Sequence, residues 1–192
     1  MVSSTAALCE GVVDTHSKLK CTGIFDRFAN EQYRCWIYPQ GAHGSLNVTG
    51  GIENSCNAFF YEVGYQLSQD ETGSYDAQLG LDTLYKYADM FGLSDKSGIE
   101  IEESMPEVSD EYPVLSAIGQ GTNNYTTAGL ARYVTTVANN GTCYDLTLLD
   151  KVTDANGNEV KSLEGSVILS DDASVNLEKG HAPKDEMIVI IG

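Results

Sequence analysis

A serine hydroxyl does chemistry when a base or an amide stands within hydrogen-bond reach, and one segment of this chain offers that pairing directly. Ser55-Cys56-Asn57 lies where a glycine-rich stretch, Gly50-Gly51, runs into an apolar repeat of helical period. There Ser55 can relay a proton and the Asn57 amide can orient a peptide carbonyl, both facing a cleft while Phe59 and Phe60 anchor a helix behind them. The spacing leaves two other readings open. A Ser or Asn before a helix is an ordinary N-cap. Alternatively, Cys56 is a thiolate nucleophile with His43 as base and Asn57 as orienter, a cysteine hydrolase. Against it, Cys56 sits between two cleft-facing residues and is expected to point the other way.

Other candidates carry less. The one Ser-x-x-Lys match, Ser17-Lys18-Leu19-Lys20, needs a helix start to bring the amine one turn above the hydroxyl. Cys21-Thr22-Gly23 follows it at once, so it reads as an exposed loop. Gly119-Gln120-Gly121 precedes a helix, where glycine loops can cradle anions, but no Walker lysine follows. The five cysteines, at 9, 21, 35, 56 and 143, are odd in number and include no Cys-x-x-Cys pair. They indicate neither a complete disulfide framework nor a zinc site, and no metal or cofactor is expected. Cys21 and Cys35 flank a turn-rich stretch and can pair outside the cell, or serve as small buried apolar residues. His16 and His181 have no partner at metal-ligand spacing and read as surface residues.

The elements that must position these groups follow from periodicity. Residues 1–10 read as a helix stopped by Gly11, and residues 12–54 as a long turn-rich loop region. Phe59, Phe60, Val63, Gly64 and Leu67 predict a helix over 57–68. Leu81, Leu84, Tyr85, Ala88 and Phe91 predict another over 77–91, and Leu130, Tyr133, Val134 and Val137 a third over 126–139. Residues 95–111, with seven acids against Lys96 alone, read as a solvated loop. Asn156-Gly157 supplies a hairpin turn, and Met187 to Ile191 a buried-strand pattern. The class is mixed α and β, helix dominant.

Composition bounds the function. With 192 residues, 42% hydrophobic and 20% charged, the chain is globular. Its 28 acids against 11 bases, a formal charge of −17, argue against nucleic acid and against docking on an anionic membrane. No signal peptide and no apolar run long enough to span a bilayer is present.

In combination these segments resemble a known family. His43-Gly44-Ser45-Leu46-Asn47-Val48, followed by Ile52 through Gly64, is similar to the second-motif region of penicillin-binding protein transpeptidase domains. Ala117-Ile118-Gly119-Gln120-Gly121 with Asn124-Tyr125-Thr126 resembles the family's Gly-Gln-Gly segment, and the helix from Leu130 to Thr142 continues the likeness. Phe91 through Ile99 fits a segment common between the two. The details look most like class B enzymes of Gram-positive, clostridia-like bacteria. The likeness covers residues 1–160 and leaves 165–192 as a divergent tail, within a single partial domain over 1–192.

The resemblance implies an α+β, penicillin-binding (β-lactamase-like) fold, helix-rich here with an incomplete antiparallel sheet. It implies a D,D-transpeptidase that cross-links peptidoglycan stem peptides through an acyl-enzyme on a Ser-x-x-Lys serine. Stem peptide ending in D-Ala-D-Ala, or a β-lactam, is the implied ligand, and cell-wall synthesis proteins the implied partners. The implied location is the extracytoplasmic face of the bacterial cell membrane. By the family's Ser-x-Asn motif, Ser55 is the proton relay and Asn57 hydrogen-bonds the bound substrate. Two departures matter. Aligned without gaps, Met1 stands one residue after the family's catalytic lysine, so nucleophile and general base are both absent. The only Lys-Ser-Gly, Lys96-Ser97-Gly98, precedes the Gly-Gln-Gly segment, whereas the family's third motif follows it. The expectation is a domain cut at both ends of its active site and inactive alone. A non-catalytic wall-peptide binding or scaffolding module is the alternative.

Overall fold

Residues spaced three and four apart fall on one side of a helix, and a helix with such a stripe must bury it. In the computed structural model, which describes residues 1–148, 151–153, 156 and 159–162, the stripe of 57–68 becomes the central helix of the molecule. The elements in chain order are α1 (Val2–Cys9), β1 (Leu19–Cys21), β2 (Ile24–Phe28), β3 (Glu31–Arg34), β4 (Gly44–Leu46) and α2 (Val48–Glu53). There follow α3 (Asn57–Leu67), α4 (Ala77–Met90), α5 (Pro113–Ser116), α6 (Thr127–Ala138), β5 (Lys151–Thr153) and β6 (Glu159–Ser162). The strands pair antiparallel as β1 with β4, β2 with β3, and β5 with β6, the last two strands flanking Asn156. The class is α+β, helix-rich, with its sheet in small pieces.

Helix α3 touches α1, α2, α4, α5 and the first three strands, so its packing organises the rest. Phe59, Val63 and Leu67 are buried along one side, with Ala6, Leu84, Tyr87 and Phe91 from α1 and α4 and its C-cap. Another side carries Tyr61, which joins Phe25 and Val114 in a second cluster. Gly64 lets α5 come close: a Cβ there would stand 2.9 Å from the Pro113 carbonyl oxygen and 3.0 Å from Val114 Cα.

Several expectations need correction. The region 12–54 holds four short strands and α2, because β1 pairs with β4 across a long gap in sequence, with Cys21 opposite Gly44. On α4, Tyr85 is exposed and Tyr87 takes the buried place, its hydroxyl donating to Glu10 at 2.9 Å. On α6, Tyr133 and Val137 pack on the core as expected, but Leu130 and Val134 face out. Arg132 and Thr136 are buried instead. The Arg132 guanidinium has fixed partners: Asp95 at 2.8 Å, Asp145 at 3.0 Å, and the Lys96 and Tyr144 carbonyls. A buried charge is tolerated when it is paired and hydrogen-bonded in this way. Gly157, Met187–Ile191, His181 and the 165–192 tail lie outside the described residues.

Gly64→Ala tests the α3–α5 contact. Alanine favours a helix over glycine by about 1 kcal/mol, but the backbone clash costs about 1–3 kcal/mol. Urea denaturation should show net destabilisation; a gain in stability would contradict the close approach.

Candidate functional site

Helix α2 ends in a way that decides where Ser55 points. The Ser55 N–H donates to the Ile52 carbonyl at 3.0 Å and the Cys56 N–H to that of Gly51 at 2.9 Å, the paired bonds of a Schellman motif. The position between them is left-handed, and Ser55 occupies it at φ 46°. Glycine is the usual occupant because a Cβ costs energy there. Ser55 is therefore the residue after the end of α2 and not an N-cap of α3. Cys56, extended at φ −76° and ψ 101°, is the N-cap and makes no side-chain capping bond. Asn57 begins α3.

The turn sorts the three side chains. Ser55 and Asn57 line a cleft of about 340 Å³, together with Phe60, Asn123, Tyr125, Gly119 and the first turn of α1 at Met1-Val2-Ser3. Cys56 is fully buried and does not line that cleft. The residues from Ser116 to Gly119, which lead into the Gly-Gln-Gly segment, line it as well. The Gly119 N–H donates to the Ser116 carbonyl and the Gln120 N–H to that of Leu115. These bonds close the end of α5; α6 begins only at Thr127, so the segment is not an anion cradle at a helix start. Gly121, at φ 84°, must be glycine, since a Cβ would lie 2.4 Å from Ser109 Oγ. Asn123 Oδ1 accepts from the Ser109 N–H at 2.9 Å and from the Tyr125 hydroxyl at 2.6 Å. Burial pushes the Tyr125 phenol up to about 12, so it stays a neutral donor at the cleft. In the sequence Tyr125 entered only as part of Asn124-Tyr125-Thr126, and Asn123 carried no signal.

Behind the turn is a cluster the sequence did not disclose. Cys21 ends β1, Cys35 follows β3, His43 precedes β4 and Cys56 caps α3; their four ligand atoms all lie within 4.8 Å of one another. His43 Nδ1 is 3.6 Å from Cys21 Sγ and 3.5 Å from Cys35 Sγ, and Cys35 Sγ is 3.9 Å from Cys56 Sγ. Zinc bonds of about 2.3 Å to sulfur and 2.0 Å to nitrogen, set tetrahedrally, place the donors about 3.5 to 3.8 Å apart. The separations of 3.5, 3.6 and 3.9 Å fit a Cys₃His centre. The Cys35 sulfur is also held by amide donors: burial raises its pKa, but the N–H groups of Ala58, Ile37 and Asn57 outweigh that and lower it. Burial drives Cys56 the other way, to about 12, which removes it as a free thiolate nucleophile. His43 faces the cluster and not the cleft, so the Cys56–His43 hydrolase pair is not assembled at an accessible site. Cys21 and Cys35 are free thiols, as is Cys56.

The remaining candidates are accounted for locally. Ser17 sits in a loop, its hydroxyl donating to Asp14 at 2.8 Å, while Lys20 lies in β1. That hydroxyl and the N–H groups of His16 and Ser17 lower the Asp14 pKa. His16 is in this loop as well. Ser97 of Lys96-Ser97-Gly98 is buried, donating from its N–H at 2.7 Å and its hydroxyl at 2.9 Å to Glu103. Glu103 also accepts from the hydroxyl of Thr126, which caps α6. The acidic stretch is thus not wholly solvated: one of its carboxylates ties the Lys96-Ser97-Gly98 loop to the start of α6.

The chain belongs to the penicillin-binding protein transpeptidase domain family, which it matches over residues 1–179. It is 31% identical over 101 residues to peptidoglycan D,D-transpeptidase MrdA of Escherichia coli K12, covering 52% of this chain and 14% of that protein. It is 28% identical over 118 residues to stage V sporulation protein D of Bacillus subtilis, covering 58% of this chain and 16% of that protein. The chain therefore spans only a small part of these relatives. A structure of a peptidoglycan synthase complex superposes with a TM-score of 0.66 and 26% identity over 78% of this chain and 26% of that one. PBPA from Mycobacterium tuberculosis shares the fold, with a TM-score of 0.72 and 16% identity over 98% of this chain and 40% of that one. Among the described residues no helix is long and apolar enough to cross a membrane.

The Glu103 carboxyl titrates below its ordinary value: burial raises its pKa, and the Thr126 and Ser97 donors outweigh it. A depressed native pKa adds stability above the unfolded value, about 4.3, which is lost as pH falls through the native value. Glu103→Gln should therefore be less stable than the parent at neutral pH, and the gap should narrow on acidification. Urea denaturation across that range measures it; a gap independent of pH would contradict this role.

Proposed function

We propose that this chain is the second-motif portion of a peptidoglycan D,D-transpeptidase domain, acting outside the cytoplasmic membrane. Ser55 relays a proton, and Asn57 hydrogen-bonds a stem peptide ending in D-Ala-D-Ala or the side chain of a bound β-lactam. The observation that carries this reading is the shared cleft: Ser55, Asn57 and the first turn of α1 open onto one cavity. In the family, a nucleophilic serine and its lysine stand just before the helix that α1 resembles. An acyl group on such a serine would lie within the same cleft as the Ser55 hydroxyl, where proton relay is useful. A left-handed serine at the end of α2, where glycine is cheaper, supports a role for its hydroxyl.

The Cys₃His cluster belongs to this reading as its brace. Cys21, Cys35, His43 and Cys56 hold a divalent cation, zinc by the softness of three thiolates and one imidazole. The metal acts structurally. It fixes Cys56, and Cys56 fixes the residues on either side of it. The closed donor set leaves no position for a reacting water, in contrast to a catalytic zinc site.

Two measurements test the proposal. A peptide ending in D-Ala-D-Ala should bind the chain weakly and reversibly, and Asn57→Ala should abolish that binding in titration calorimetry; binding unchanged by Asn57→Ala would overturn the assignment. Purified under reducing, zinc-replete conditions, the chain should carry one zinc per molecule. Cys56→Ser should lose the metal and several degrees of melting temperature, and a metal-free parent of unchanged stability would refute the brace.

A further inference from the structure

Four buried or half-buried donors stand at metal-ligand spacing, and three of them are thiols packed against one another. A thiol cluster in an oxidising compartment has a second stable state, because two sulfurs in contact can be joined covalently. Cys35 Sγ and Cys56 Sγ are 3.9 Å apart and both are buried. Cys21 and Cys35 also each lie against His43 Nδ1, at 3.6 and 3.5 Å. His43 is half-buried, and the exposed Trp36 ring lies 5.3 Å from it, so the cluster sits one side chain below the surface. A small oxidant reaches such a depth far more readily than a protein thiol does.

We propose that Cys35 and Cys56 are a redox modification site: a peroxide converts them to a disulfide, expels the metal and displaces the Ser55–Asn57 turn. The inference rests on the metal reading given above. One thiolate attacks a peroxide oxygen, the O–O bond breaks, and a sulfenic acid and hydroxide form. The second thiolate attacks the sulfenic sulfur and releases the other hydroxide. The two thiolates lose two electrons in all, the peroxide gains them, and two protons convert the hydroxides to water. Cys21 and His43 alone do not satisfy the cation, which leaves as the aquo ion while Cys21 takes up a proton.

The mechanical consequence follows from chain connectivity. Joining the sulfurs contracts their separation from 3.9 Å to about 2.05 Å. Cys56 moves toward Cys35, and its neighbours are the two residues that line the cleft. The movement has a built-in reporter. Trp36 is the only tryptophan, its indole N–H donates to the Asn54 carbonyl at 3.1 Å, and Asn54 precedes Ser55.

The experiment treats the zinc-loaded chain with hydrogen peroxide, following zinc release with a chromogenic chelator and Trp36 fluorescence together. Remaining thiols are then alkylated and the peptides mapped. The expected result is one zinc released per Cys35–Cys56 disulfide, with a fluorescence change of the same time course, reversed by dithiothreitol and added zinc. Zinc retained while oxidation falls on Cys9 or Cys143 would overturn the proposal. So would a disulfide that uses Cys21, or a Cys56 oxidised to the sulfinic acid without pairing. Zinc content before oxidation separately tests the underlying metal reading. If the chain holds no zinc at the start, that reading fails whether or not the disulfide forms.

Discussion

The site depends on one turn that sends neighbouring side chains in opposite directions. Residue 55 is left-handed and residue 56 extended, so Ser55 and Asn57 face the cleft and Cys56 faces the interior. The backbone alone holds this turn only weakly, because a non-glycine left-handed residue costs about 1 kcal/mol or more. Something must oppose its relaxation. The paired hydrogen bonds at the end of α2 are one restraint, and the burial of Cys56 among Cys21, Cys35 and His43 is the other. A metal ion there would turn a soft packing contact into a fixed point, at the residue between the two proposed functional groups.

The same logic recurs on the far wall of the cleft. The chain from 95 to 125 has few strand ladders to hold it, so polar side chains replace them. Glu103 ties Ser97 to Thr126, Ser109 sits against Gly121, and Asn123 joins Ser109, Gln120 and Tyr125. Arg132 anchors the same region from behind, through Asp95 and the Lys96 carbonyl. Loops pinned by buried charged and amide groups stay in register without a continuous sheet, provided each group is paired.

How much of this could be read in advance follows from locality. Helices α3, α4 and α6 were legible because their apolar residues recur at helical period, and α1 because Gly11 stops it in a left-handed turn. The second motif was legible because its order of residues is local. The short strands were not, since pairing Leu19–Cys21 with Gly44–Leu46 depends on contacts remote in sequence. The same remoteness concealed the Cys₃His cluster, whose donors come from four segments and obey no short spacing rule. Arg132 and Tyr87 were missed for a different reason. Periodicity counts apolar residues, whereas these positions were decided by hydrogen-bond partners on other segments, Asp95 and Glu10.

In the proposed arrangement Cys56 is held from behind by a metal shared with Cys21, Cys35 and His43. X-ray absorption at the zinc edge reads the donor set directly. Three sulfur donors at about 2.3 Å and one nitrogen at about 2.0 Å are expected. A shell dominated by oxygen, or fewer than three sulfurs, would contradict it.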